Sequence, residues 1–333
     1  MTLPRRIAGL FALCLLAQSA GCTMYLARAE IDEQQTVDLT GVKHVFVDTR
    51  NGSIDVKCDP SHADADIRVV KYASGISEAD AHEHAEQIEV TAARDPQQAD
   101  TVRVAARWPS DAGGRNRGAK FTIALPPNAA LDLKTRNGSV SVARAAAGAN
   151  IDTSNGSVTV TDTKGTVAAH TSNGRMTLTN IDGDVDVDSS NGTIRLDRVG
   201  AGSVAAVTSN GGIYAANVTG NVSAKTSNGS IELRIAALPA RPEIRAVSTN
   251  GRVLVEAPGT VNAKLNMHTS NGRVTAKLDE VGNMRDFESG RQHLSATLNQ
   301  GDGLIEIKSS NGGVTFQTAA KAPSTGPVAS ASR

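Results

Sequence analysis

The chain lacks most of the features by which a sequence announces chemistry. Only nine of its 333 residues are aromatic, one of them tryptophan, while 31 are glycine. That balance suits short stacked strands better than the bulky core of an α/β enzyme. Charge of one sign is missing as well, with 34 basic and 34 acidic residues. Residues 1–21 hold Arg5 and Arg6 and no acid, so a chain starting at Cys22 carries 32 basic and 34 acidic groups, a net of −2. Bulk charge therefore excludes a nucleic-acid binder, which needs a basic surplus on some face. Long apolar runs are absent too. The longest, Ile7–Ala17, has eleven residues, and a membrane-spanning helix needs about 20.

What that short run does resemble is an export signal. It follows a basic start and precedes the small residues Ser19-Ala20-Gly21-Cys22, which is the layout of a cleaved secretory segment. The end of this stretch resembles the lipobox of bacterial lipoproteins, although Ser19 stands where that pattern usually has leucine. The resemblance implies lipidation at Cys22, a signal over 1–21 and an anchor and linker over 22–36. Thr23, not being aspartate, then implies the outer membrane, facing the periplasm. Plain secretion, to a soluble periplasmic or external form, is the alternative. Cys14 leaves with the signal, so Cys58 has no partner for an internal disulfide. No His or Asn constellation can be assigned to Cys58 as a nucleophile.

The strongest signal is internal repetition. Asn-Gly occurs at Asn51, Asn137, Asn155, Asn173, Asn191, Asn210, Asn228, Asn250, Asn271 and Asn311. From Asn137 the spacings are 18, 18, 18, 19, 18, 22, 21 and 40. Thr or Ser stands two residues before every one of these asparagines. Apolar residues stand three and five after, as in Val158 and Val160 or Ile231 and Leu233, with mostly polar residues between. A period of two marks a strand with one buried face. A glycine ten or eleven residues after the Asn (Gly148, Gly165, Gly183, Gly202, Gly220) precedes a second alternating stretch. Each unit thus reads strand, Gly turn, strand, Asn-Gly turn, with Asn and Gly expected at the corner because both tolerate positive φ. One unit cannot bury its apolar face alone, so the units must stack.

Two other 18-residue architectures fail. A left-handed hexapeptide β-helix needs an aliphatic residue at every sixth position, where Lys164 and Asp182 stand. A calcium β-roll needs ligand aspartates in its turns, where Thr-Ser-Asn-Gly stands. The Thr-x-Asn-Gly-x-Val/Ile coils, with the early Asn51-Gly52-Ser53-Ile54 strand, the Pro126-Pro127 step and the closing Ser309–Val314 coil, resemble the toastrack family of bacterial envelope domains of unknown function. The match covers Val37 to Gln317. It implies an all-β fold, a right-handed β-solenoid with two strands per coil and about 18–22 residues per coil, and no established enzymatic activity. The family's adhesin label rests on architecture.

The remaining segments are expected as follows. Residues 37–127 form a β-rich N-terminal cap with one helix over Ser77–Ile88, N-capped by Ser77. Residues 128–318 form the solenoid, interrupted by a charged excursion over 279–298 on one edge. Residues 319–333 are Pro/Ser/Ala-rich and expected to be disordered. Arg115, Arg117 and Lys120 make a basic spot in a solvated loop. His82-Glu83-His84 is expected on a solvated helix face, where i and i+2 diverge and cannot chelate. Asp182, Asp184, Asp186 and Asp188 are expected as outward residues of one strand face. No catalytic site, cofactor or metal site is assigned. The expectation is a non-enzymatic envelope lipoprotein, held to the bilayer through Cys22, whose rigid solenoid is a scaffold or interaction surface. A carbohydrate- or peptidoglycan-binding module is the alternative, and a polysaccharide-active enzyme the second.

Overall fold

The computed structural model describes residues 27–109, 116–279 and 281–319. The segment expected as a signal, Cys22, Arg115 and the residues beyond 319 lie outside the described residues. Two compact units divide at Arg195/Leu196, and the described residues form 25 strands and one helix.

In the first unit the repeat folds into parallel coils, each named here by its asparagine. The Asn155 coil consists of Ala149–Thr153 and Val158–Lys164, and the Asn173 coil of Val167–Thr171 and Met176–Asp182. Register is strict: Val158 lies beside Val140 on one neighbour and Met176 on the other, and Ile151 lies between Leu133 and Ala169. Inward residues are wholly shielded while the alternating ones face water. Each shielded Val, Leu or Ile contributes roughly 1.5–3 kcal/mol by burial.

The order of coils is not the order of sequence. The Asn51 coil (His44–Asn51 and Ile54–Cys58) pairs in parallel with the Asn137 coil on one side. Its other side is covered by Thr101–Arg107 and Arg117–Leu125, again in parallel. The segment expected as a cap over 37–127 therefore contributes one full coil and a partial one. Closure comes from antiparallel strands: Ala65–Gly75 on Arg117–Leu125, Ala27–Val37 on Ala65–Gly75, and Glu89–Arg94 on Thr101–Arg107. Antiparallel pairing ends a parallel stack and leaves no long parallel edge to recruit another chain. The helix, Glu78–Glu86, packs against this layer, and the Ser77 hydroxyl accepts from Asp80 N at 3.1 Å. Residues 27–36, expected as linker, are instead most of an eleven-residue strand, because Gln35, Glu33 and Ile31 find register with Ile67, Val69 and Lys71.

The second unit uses the same device. Gly303–Ser309 and Val314–Ala319 do not close the stack; they lie between the Asn250 and Asn271 coils, parallel to both. The stretch 279–298 leaves the coil period at an edge of the sheet. It forms a hairpin, Met284–Ser289 with His293–Leu298, whose second strand runs antiparallel to Ala263–Thr269 and covers it. Leu294, Ala296 and Leu298 point inward from that strand, which is why it stays there.

Candidate functional site

The repeated Thr/Ser-x-Asn-Gly corner is built from backbone contacts between coils. In the first unit Asn137, Asn155, Asn173 and Asn191 each donate a side-chain N–H to the amide oxygen of the asparagine one coil before, at 2.7–2.8 Å, and Asn51 donates to Arg117 O. In the second unit the chain of amides runs Asn210, Asn228, Asn250, Asn311, Asn271, and so reproduces the inserted coil. The hydroxyls two residues earlier are buried. Thr135, Thr153 and Thr171 donate to the carbonyls of Gly52, Gly138 and Gly156, at 3.0–3.1 Å. The glycine is required for a different reason from the one the sequence suggests. None of the ten asparagines has positive φ, and among the glycines that follow them only Gly52 does, at 139°. A Cβ on Gly156 would instead lie 1.8 Å from Gly138 O, and one on Gly174 would lie 1.7 Å from Gly156 O. Coils touch here backbone to backbone.

Positive φ occurs, as expected, at the glycine turn between the strands (Gly148, Gly165, Gly183 and Gly220), and also at a further corner seven residues after the asparagine: Arg144, Asp162, Asn180, Arg198 and Asn217. Sequence reading missed it because the residue type varies. Asn and Asp there tolerate the left-handed region, and Asn180 Nδ2 donates to Asp162 Oδ1 at 2.6 Å.

Several singled-out residues are placed differently from expectation. His84 is not solvated. Its Nδ1 lies 2.8 Å from Arg117 Nη2 and its Nε2 lies 3.0 Å from Asp80 Oδ1, both His84 and Arg117 being buried. A guanidinium only donates, so Nδ1 accepts and Nε2 carries the proton toward Asp80. Arg117 accordingly leaves the expected basic spot for the interior, with Nε and Nη1 finding no hydrogen-bond partner among the described residues, while Lys120 lies over the Tyr72 ring. His82 stays outside, near Glu86. The four aspartates do not share a face, because the Gly183 corner separates Asp182 on one strand from Asp186 and Asp188 on the next. Among the described residues no group of three or more His, Cys, Asp or Glu is arranged to hold a metal ion. Cys58 is fully buried at the end of its strand, and burial pushes its thiol up to about 11.

The outward surface of the first unit carries a patterned row. Asp48, Lys134, Asp152, His170 and Asp188 occupy matching positions on successive coils. Acid and base alternate, as in-register stacking favours, since like charges directly opposite are destabilising. Lys134 lies 3.6 Å from Asp152, and Arg107 Nη2 donates to Asp48 at 3.0 Å. One column over, the pattern fails. Arg50 and Arg136 are brought side by side, bracketed by the register pairs Thr49–Thr135 and Asn51–Asn137. Neither has an ion pair among the described residues. Both line an open groove of about 540 Å³ together with Asp48, Lys134 and half-buried Trp108, the sole tryptophan. The signal for this site was in the sequence: the residue before the Asn is Arg only at Arg50 and Arg136, and Ser or Thr in the other eight coils. Nothing in the sequence, however, places Trp108 beside them.

The solved structure of a putative cell adhesion protein from Clostridium sporogenes ATCC 15579 is 12% identical, covers 86% of this chain and 99% of its own, and has a TM-score of 0.24. That of a putative adhesin from Bacteroides fragilis NCTC 9343 is 13% identical, covers 86% and 97%, and has a TM-score of 0.40. No curated protein matches the chain. Residues 42–317 match the Toastrack DUF4097 family, a span that contains every Asn-Gly coil from Asn51 to Asn311, and the chain belongs to that family.

Proposed function

We propose that the protein is a non-enzymatic scaffold of the bacterial envelope, whose rigid β-solenoid presents a surface for interaction. One observation carries this reading: the repeated polar groups are consumed within the stack. The Thr/Ser hydroxyls bond glycine carbonyls and the Asn amides bond one another, so the repeat is a rule of construction and not a row of reactive groups. Outward positions, by contrast, change from coil to coil, as Ser141, Thr159 and Thr177 do against Glu232 and Leu254. A rigid frame with a variable exterior suits binding.

The test replaces Asn155, Asn173 and Asn191 together by Gly. The scaffold reading expects a folded protein, by circular dichroism, that still complements a deletion strain. A folded triple mutant that fails to complement would mean that a ligand reads the amide row.

Export and lipid anchoring belong to the same proposal and rest on the basic, apolar and small-residue order of residues 1–21 and on Cys22. No described helix is long and apolar enough to cross a membrane. Cys22→Ala is expected to release the protein to the soluble fraction and abolish labelling by a fatty-acid analogue. Membrane association unchanged in that variant refutes the anchor.

A further inference from the structure

We propose that the groove beside Trp108 binds an acidic saccharide of the hexuronate class, its ring on the indole and its carboxylate between Arg50 and Arg136. The inference specifies a ligand for the interaction surface proposed above and rests on that reading.

The first support is the break in the repeat. A structural rule recurs in every coil, whereas a site is local. The position before the asparagine bears a hydroxyl in eight coils and arginine in two, and those two coils are adjacent in the fold though 86 residues apart in sequence. Parallel strands lie about 4.8 Å apart, so two exposed guanidinium groups in one column repel. In the neighbouring column the same coils place Asp48 beside Lys134, and Lys134 beside Asp152. Of the two columns that line the groove, one thus alternates charge and the other, at Arg50 and Arg136, does not. A bound carboxylate resolves the repulsion, because a guanidinium fork holds carboxylate oxygens in a bidentate manner and two forks can share one group.

The second support is the shape and the lining. Pairing of the Thr101–Arg107 strand with the Asn51 coil ends at Ala105–Asp48, and Trp108, the residue after that strand, lines the groove. An indole offers a broad apolar face with a polar edge, which matches the C–H face of a pyranose ring. About 540 Å³ falls within the roughly 300–1,000 Å³ of small-molecule sites, far more than a lone phosphate fills. The Asp48–Arg107 and Lys134–Asp152 pairs on its walls supply acceptors and donors for sugar hydroxyls. A hexuronate carries its carboxylate on the ring, so both recognition elements engage one residue of the polymer.

Trp108 is the sole tryptophan, which makes the test direct. The full-length protein is titrated with oligogalacturonate and with a mannuronate oligosaccharide, while selectively excited tryptophan emission is followed. A neutral galactose oligosaccharide and inorganic phosphate serve as comparisons. The expected result is a saturable change with at least one uronate. Binding should be at least tenfold weaker for the neutral sugar and for phosphate, and should weaken as salt screens the arginines. The Arg50→Gln/Arg136→Gln variant should bind at least tenfold more weakly with an unchanged or raised melting temperature, since it also removes the repulsion. Calorimetry on Trp108→Ala should show a comparable loss. The proposal is overturned if neither uronate saturates, if the neutral sugar binds equally, or if the double variant binds like the parent. Phosphate binding as tightly as uronate would reduce the groove to a general anion site and overturn the saccharide. None of these failures touches the scaffold, which is judged by the asparagine complementation.

Discussion

Gly174→Ala is the perturbation that best separates two accounts of the repeat. If the glycine after each asparagine is there for positive φ, alanine costs the left-handed penalty or nothing. If it is there because coils touch, alanine must push them apart. The added Cβ would lie 1.7 Å from Gly156 O and 2.5 Å from Gly156 C. Real Cβ contacts do not fall below 3.0 Å, so the neighbouring backbone must retreat by about 1.3 Å. Three hydrogen bonds cross that junction: Asn173 N to Ser154 O at 2.9 Å, Asn173 Nδ2 to Asn155 Oδ1 at 2.8 Å, and Thr171 Oγ1 to Gly156 O at 3.1 Å. At about 1 kcal/mol each, their weakening gives a loss of about 3 kcal/mol. For a unit of this size that corresponds to a melting shift of roughly 6–12 °C. Gly41→Ala is the matched control, because Gly41 has φ +74° and nothing within 4 Å of its added Cβ. It should cost only the backbone strain of alanine there, roughly 1–2 kcal/mol. Urea unfolding followed by circular dichroism measures both, and amide exchange at residues 171–176 locates the damage. A Gly174→Ala loss no larger than that of Gly41→Ala would refute the close-approach account.

Other expectations follow from the same geometry. Val158→Asp buries an unpaired charge between Val140 and Met176 and should cost at least several kcal/mol, while Thr159→Asp, one residue along on the outward face, should change stability by no more than about 0.5 kcal/mol; equal melting losses would refute the assigned strand polarity. Cys58, with burial holding its thiol at about 11, should resist a thiol reagent at pH 8 until the protein is unfolded, because only the thiolate reacts, and rapid labelling of the native protein would contradict its burial. A stop after Asp302 removes the layer between the Asn250 and Asn271 coils, so amide protection should vanish across 263–298 as well; if the Asn271 coil keeps its protection, the inserted order is wrong.

The parts of this fold that were legible in the sequence are those set by neighbours a few residues away. Alternation at Val158, Thr159 and Val160 marks a half-buried strand wherever that strand goes, and Ser77 caps its helix by a bond to Asp80 three residues on. The need for glycine at 174 was also legible, but for the wrong reason, since φ is a local property and the actual constraint is the carbonyl of Gly156 on another coil. Coil order was not legible at all. Parallel coils present nearly the same backbone edge to any partner, so the 21 residues from Asn250 to Asn271 read as one more step of the period, although Asn311 is hydrogen-bonded between them. The interior position of Arg117 and His84 was hidden likewise, because polar residues read as outward until a partner is supplied from elsewhere in the chain.

The candidate groove lies where these two kinds of information meet. Arg50 and Arg136 depart from the repeat in a way the sequence displays, yet they become neighbours only because residues 44–58 are stacked directly on the Asn137 coil. Trp108 joins them only because the partial coil over 101–107 covers the other side and stops short. The departure of the chain after Cys58 and its return as the strands Thr101–Arg107 and Arg117–Leu125 is therefore what brings a single tryptophan and two arginines without ion pairs among the described residues to one groove.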